Sequence, residues 1–199
     1  MIDETTTLCT KIVEAFFRRV DETPLLLQIY GKNHHCAMRG LTHYLVQLLG
    51  GSAEYSKHAY YVSLTEAHAR FHIGQEVRDV WLGTMEAALQ DVPMDTELRT
   101  ALSGFFSIAS TELINQPTAS FTPSPPTLPQ NTRLRELITK WHSQVCIDTM
   151  IAAVRSGDTD SVLGWLDSLP IQTVMQSDRT VCASLLGVIG CVDSAELQD

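Results

Sequence analysis

The sequence predicts an all-α protein: a helical domain over residues 1–116, a linker over 117–131 and a helical extension over 132–199. Three observations point there. Apolar residues recur at helical spacing on both sides of the linker, and no alternating apolar and polar run of strand length is flanked by turn signals. Between Asn115 and Thr132 runs NQPTASFTPSPPTLPQNT, whose five prolines interrupt any helix, since proline lacks the amide donor and clashes with the preceding turn. The 199 residues are 44% hydrophobic and 19% charged, enough apolar material for one or two small cores.

Leu8 to Val20 places Ile12, Val13, Phe16, Phe17 and Val20 on one face, with Thr5, Thr6 and Thr7 expected to cap the helix. The segment DETPLL opens a short second helix. Pro24 sits in its first turn, where the missing amide costs nothing, and the helix should stop near Tyr30 and Gly31. Cys36 to Leu49 carries Leu41, Leu45, Leu48 and Leu49 and ends at Gly50 and Gly51. Ser63, with Glu66 three residues on, has the capping-box arrangement for a short helix bearing His68.

Glu76 to Leu89 sets Val77, Val80, Trp81, Met85 and Leu89 on one side, and Asp95 to Ile114 holds Leu98, Leu102, Phe105, Phe106, Ile108, Ala109 and Leu113. Six helices with short connections leave room for a ligand between them. Beyond the linker the pattern predicts helices over Arg133–Arg155, Asp158–Leu169 and Asp178 to about Val192, separated by Ser156-Gly157 and by Pro170. The first is amphipathic through Leu134, Leu137, Ile138, Trp141, Val145 and Ala152, and Trp141 and Trp165 are expected core anchors.

A net charge of −9, with no run of Lys and Arg to neutralise phosphates, argues against nucleic-acid binding. No apolar stretch reaches membrane-spanning length, and MIDETTTLCTK lacks the basic start and apolar middle of a secretory signal, so a cytoplasmic protein with no membrane role is expected. The five cysteines are odd in number and form no CxxC pair, which signals neither a disulfide framework nor a zinc site; buried, reduced thiols are expected. No GxGxxG, P-loop, HExxH or nucleophile elbow occurs.

The informative stretch is EAHARFHIGQEVRDVWLGTMEAAL, residues 66–89. It has a histidine at the end of a short helix, an aromatic three residues on, a break at Gly74 and a helix whose second turn presents Trp81. A heme protein needs one neutral imidazole aimed at iron and apolar contacts for the porphyrin faces, and both are here. On spacing alone, a lone histidine in this position is more often a solvent-exposed or capping residue, and spacing by itself does not assign heme.

His68-x-x-Phe71-x-Ile73, followed by Arg78-Asp79-x-Trp81-Leu82, resembles the proximal-histidine stretch of the group II truncated hemoglobins, whose pattern is H-x-P-F-x-I with E-R-D-A-W-L. The match runs upstream through Leu64, Ser56, Tyr55 and Gly50-Gly51, and more loosely to Phe16-Phe17. The resemblance implies a two-over-two helical sandwich around heme b (iron protoporphyrin IX), the truncated globin fold. It assigns His68 as the proximal iron ligand and Phe71, Ile73 and Leu64 as apolar residues flanking the heme. Trp81 falls on a tryptophan whose indole N–H enters the distal pocket, and Tyr30 on a tyrosine whose hydroxyl lies near the bound ligand. With one deleted residue allowed, Leu41 and Ala37 fall on ligand-facing positions of the distal helix, with Tyr44 a turn further.

Two departures stand out. Phe17 replaces the family's distal tyrosine, so one ligand-holding hydroxyl is missing and weaker dioxygen retention is expected. Ala69-Arg70 replaces the proline after the histidine, and Ala67 stands where a basic residue is common; Arg70, Lys57 and Tyr55 are the expected partners of the heme propionates. His34 and His35 precede the distal helix and either face water or supply a sixth iron ligand. The resemblance implies a heme globin taking dioxygen, nitric oxide or carbon monoxide, used in gas sensing or in nitric-oxide or redox detoxification. The chain carries no flavin or nicotinamide module, so dioxygenase or peroxidase-like turnover would need an external reductase. The alternative is a heme-free globin-like interaction or regulatory module acting through its extension, which also offers a homodimer surface.

Overall fold

A computed structural model describes residues 4–52, 64–116 and 131–161. Its regular elements there are helices: α1 (Glu4–Glu22), α2 (Pro24–Tyr30), α3 (His35–Leu48), α4 (Leu64–Ala69), α5 (Gln75–Asp91), α6 (Thr96–Glu112) and α7 (Thr132–Ser156).

Helix α1 is the central one, with Ile12, Val13, Phe16, Phe17 and Val20 all at most 1% exposed. Each such side chain contributes about 1.5–3 kcal/mol by leaving water. The threonines do not cap it. The helix begins at Glu4, an acidic first-turn residue that complements the helix dipole, and Thr5–Thr7 lie inside it, with the Thr10 hydroxyl bonded back to the Thr6 carbonyl at 2.8 Å.

Helix α2 starts on Pro24 and stops at Gly31, whose φ of 70° lets its amide return to the Leu27 carbonyl. At the end of α3 a Cβ on Gly51 would stand 2.5 Å from Val46 Cγ1 and 3.0 Å from the Val46 carbonyl oxygen, so glycine permits the Gly51 amide to bond that carbonyl at 2.8 Å. Helix α5 follows a break at Gly74, and α6 is capped by Asp95, whose carboxylate accepts from the Leu98 amide at 3.0 Å. Ser63, the expected cap of α4, lies outside the described residues.

Helix α1 packs on α3 and on α5, α5 packs on α6, and α2 bridges α1 and α5. Two helix pairs, α1 with α3 and α5 with α6, are thus joined across the α1–α5 contact in a two-over-two arrangement.

The first compact unit comprises residues 1–55 and 68–141. Residues 132–141, expected to belong with the extension, lie in this unit because their apolar face is buried within it. Leu134 packs over Gly104, where a Cβ would come within 2.7 Å of its methyl, and Leu137, Ile138 and Trp141 are buried. Trp141 meets Phe105 edge to face at 5.9 Å and donates its indole N–H to Glu112, and Lys140 Nζ caps the Leu48 carbonyl at 2.7 Å.

The second unit comprises residues 56–67 and 142–199. Its described part contains the last turns of α7, closed by Gly157 at φ 72°, and Asp158, which accepts from the Ser161 amide at 3.2 Å and hydroxyl at 2.6 Å as a cap for the next helix. Those hydrogen bonds hold the Asp158 carboxyl below its ordinary pKa. Residues 117–130 and 162–199 lie outside the description. Cys9 is buried as expected, but Cys36, in the first turn of α3, is exposed. No described helix is long and apolar enough to cross a membrane.

Candidate functional site

Two clusters form around the N-terminal half of α5. The first is built on the buried face of α1. Phe16 and Phe17 meet edge to face at 5.1 Å, Phe17 meets Tyr30 at 5.1 Å, and Phe16 lies 5.4 Å from Trp81, which also contacts Phe106 at 5.7 Å. Inside this apolar group Trp81 Nε1 donates to the Tyr30 hydroxyl at 3.0 Å. Indole is a donor only, so the bond fixes the phenol with a lone pair toward Trp81 and its own proton directed away. Among the described residues none accepts that proton.

Burial pushes the Tyr30 pKa above its ordinary 10.0, and the Trp81 hydrogen bond opposes this more weakly. The folded chain therefore binds the phenolic proton more tightly than the unfolded chain. The associated stability is complete below pH 10 and is lost as the pH rises from there through the folded value. The melting temperature of the wild type is expected to fall more steeply above pH 10 than that of Tyr30→Phe; parallel slopes would mean that the hydroxyl is not desolvated.

His34 is not a water-facing loop residue. Its ring stacks on Phe17 at 4.8 Å and 21°, with Nδ1 3.2 Å from the Gly31 carbonyl and 3.9 Å from the Asp21 carboxylate, because Gly31 turns the chain back over α1. His35 is exposed. Leu41 and Ala37 are half-buried on the first turns of α3, whereas Tyr44 points elsewhere and packs between Phe105 and Trp141.

The second cluster is the turn from His68 to Gly74. The His68 ring lies 6.5 Å from Phe71, and the Arg70 guanidinium sits 4.7 Å over the Phe71 ring. Sequence reasoning missed what holds this turn. Asn115, just past α6, accepts from the Ile73 amide at 2.9 Å and donates to the Phe71 carbonyl at 2.8 Å and the His68 carbonyl at 3.2 Å. An asparagine before Pro117 reads as a helix stop, and nothing local announces a partner more than 40 residues back. The two clusters are linked by α5 itself, since Trp81 stands about 9 Å along the helix axis from Gln75.

The residues present suit a heme. Met85, Ala88 and Leu89 in the C-terminal half of α5 are buried, while Val77, Val80, Trp81 and Leu82 stay half-exposed, as do Phe71 and Ile73. Helix α3 repeats the pattern, with Leu45, Val46 and Leu48 buried and Ala37, Met38 and Leu41 half-exposed. Apolar surface left partly uncovered, one imidazole and a donor pair are the chemistry that a flat apolar macrocycle with a diatomic ligand requires. Of the expected propionate partners, Arg70 is exposed on its turn, while Tyr55 and Lys57 lie outside the described residues, as does the side chain of Leu64, the first residue of α4. Among the described residues no three His, Cys, Asp or Glu side chains converge.

The family model described as bacterial-like globin matches residues 4–114. The group 2 truncated hemoglobin YjbI of Bacillus subtilis is 30% identical over 109 residues, 55% of this chain and 83% of that protein. Among solved structures, the truncated oxygen-avid haemoglobin from Bacillus subtilis aligns with a TM-score of 0.53 at 29% identity, over 55% of this chain and 93% of its own. The hemoglobin of the thermophilic phototroph Chloroflexus aurantiacus aligns with a TM-score of 0.52 at 28% identity, over 56% of this chain and 92% of its own.

Proposed function

Because the chain belongs to the bacterial-like globin family, among its group II truncated hemoglobins, we propose that it holds heme b through His68 and binds dioxygen, with nitric oxide and carbon monoxide as further ligands. Membership makes it a heme-binding, oxygen-related globin. The observation that supports the ligand assignment best is the Trp81–Tyr30 hydrogen bond at 3.0 Å within a group of aromatic rings.

Heme supplies the iron at which a diatomic ligand is taken up. His68 would hold it through an imidazole nitrogen. Phe71, Ile73 and Leu41 would exclude water from the ring faces, and Arg70, exposed on its turn, would serve a propionate. Tyr30, oriented by Trp81, offers its free proton to the ligand. That proton favours a ligand that gathers negative charge, hence dioxygen over carbon monoxide, because hydrogen bonds to charged acceptors are about twice as strong as neutral ones. Nitric-oxide or redox detoxification at this site would need electrons from an external reductase, since the described residues supply none.

Phe17, buried beside Tyr30, contributes no hydroxyl to this set. Phe17→Tyr is expected to slow dioxygen release about tenfold, the effect of one added hydrogen bond. An unchanged dissociation rate, measured by stopped-flow ligand replacement, would show that Tyr30 and Trp81 already suffice.

The reading is tested by titrating the purified chain with hemin and adding carbon monoxide after reduction. A sharp Soret band saturating at one heme per chain and shifting with carbon monoxide is expected. Absence of stoichiometric uptake would replace this reading with a heme-free globin-like interaction module.

A further inference from the structure

The backbone of the His68–Ile73 turn is held from outside its own segment. Besides the three side-chain bonds of Asn115, the Asn115 and Gln116 amides both donate to the Ile73 carbonyl, at 3.0 and 3.1 Å. The Gln116 side-chain amide lies 2.6 Å from Nδ1 of His72. Within the turn, the Phe71 amide returns to the His68 carbonyl at 3.0 Å, so that carbonyl accepts both from the turn and from Asn115. The pattern admits one orientation of the asparagine amide: its oxygen meets the Ile73 N–H, and its nitrogen meets two carbonyls.

A ligand side chain can be no better placed than the main chain that carries it, and partners outside a ligand's own segment commonly set its orientation. We propose that Asn115 is the positioning residue for His68: it fixes the main chain at His68, Phe71 and Ile73, and so sets the distance and tilt at which the imidazole meets the heme iron. This rests on the assignment of His68 as iron ligand.

The test compares wild type, Asn115→Asp and Asn115→Ala as the full chain. Aspartate keeps the shape and the acceptor for Ile73 but cannot donate to the His68 and Phe71 carbonyls, so a role limited to shape or to ending α6 would leave it like the wild type. The proposal expects heme loss to apomyoglobin about tenfold faster in both variants. It also expects a shifted or broadened iron–histidine stretching band in the Raman spectrum of the ferrous protein, with melting of the apo chain changed little in Asn115→Asp. Stretching bands and heme-loss rates equal to wild type in Asn115→Asp overturn the clamp while leaving His68 as ligand. A wild type that takes up no hemin overturns both.

Discussion

Replacing His68 by alanine is expected to abolish tight hemin uptake, raising the dissociation constant by at least about a hundredfold, since losing even an outer partner of a metal ligand commonly costs ten- to a hundredfold. The apolar surface of α3 and α5 remains in the variant, so hemin will still bind weakly, but without the sharp Soret band of an axially ligated iron. Neither His72 nor His34 is placed to compensate. His72 is exposed and turned toward Gln116, and His34 is stacked on Phe17 beside the opposite cluster. Free imidazole added to His68→Gly should restore the band, because the small side chain leaves space for the detached ligand. Hemin titrations with and without imidazole measure both effects. Undiminished stoichiometric uptake by His68→Ala would mean that another residue holds the iron, and His34→Ala would be the next variant to examine.

The parts of this fold that sequence reasoning reached are those governed by neighbours along the chain. Pro24 and Gly31 bracket α2 because a missing amide and a positive φ are local properties, and the face of α1 was legible from the spacing of five apolar residues. The start of α1 was not, since a threonine serves a helix N-terminus or its first turns equally well, and Thr5–Thr7 lie inside the helix. The docking of α7 was hidden for a different reason. The amphipathic stripe of Leu134, Leu137, Ile138 and Trp141 was visible, but nothing in it says which surface it covers, and Gly104 and Glu112 sit on a helix whose own pattern gave no sign of a second partner. The candidate site divides the same way. Residue types at Tyr30, His68 and Trp81 carried chemistry through the resemblance, whereas the Tyr30–Trp81 bond, the stacking of His34 and the Asn115 clamp join residues from 17 to 51 positions apart and exist only in the folded chain.

Removing the donor pair should have the second largest effect. Tyr30→Phe is expected to speed dioxygen dissociation roughly ten- to a hundredfold, the loss of a hydrogen bond of about 1–3 kcal/mol in a desolvated site. Trp81→Phe should approach the same value without removing the phenol, because Tyr30 then loses the partner that orients its proton. The lost bond also leaves burial unopposed, so the Tyr30 pKa rises further and the phenol stays neutral. If the two residues act as one unit, Tyr30→Phe/Trp81→Phe will dissociate dioxygen only about as fast as the worse single variant, a coupling of roughly 1 kcal/mol or more. Carbon monoxide, with little charge to accept the proton, supplies the control. Its dissociation should change by only about threefold in every variant, the low end of the roughly 0.5–1.5 kcal/mol net of a neutral hydrogen bond, because carbon monoxide is a poor acceptor. Strictly additive dioxygen rates would show that Trp81 reaches the ligand on its own and that the bond between the two side chains is incidental. Equal acceleration of both gases would instead trace the effect to the cavity opened beside Phe16 and Phe106 when the indole is truncated.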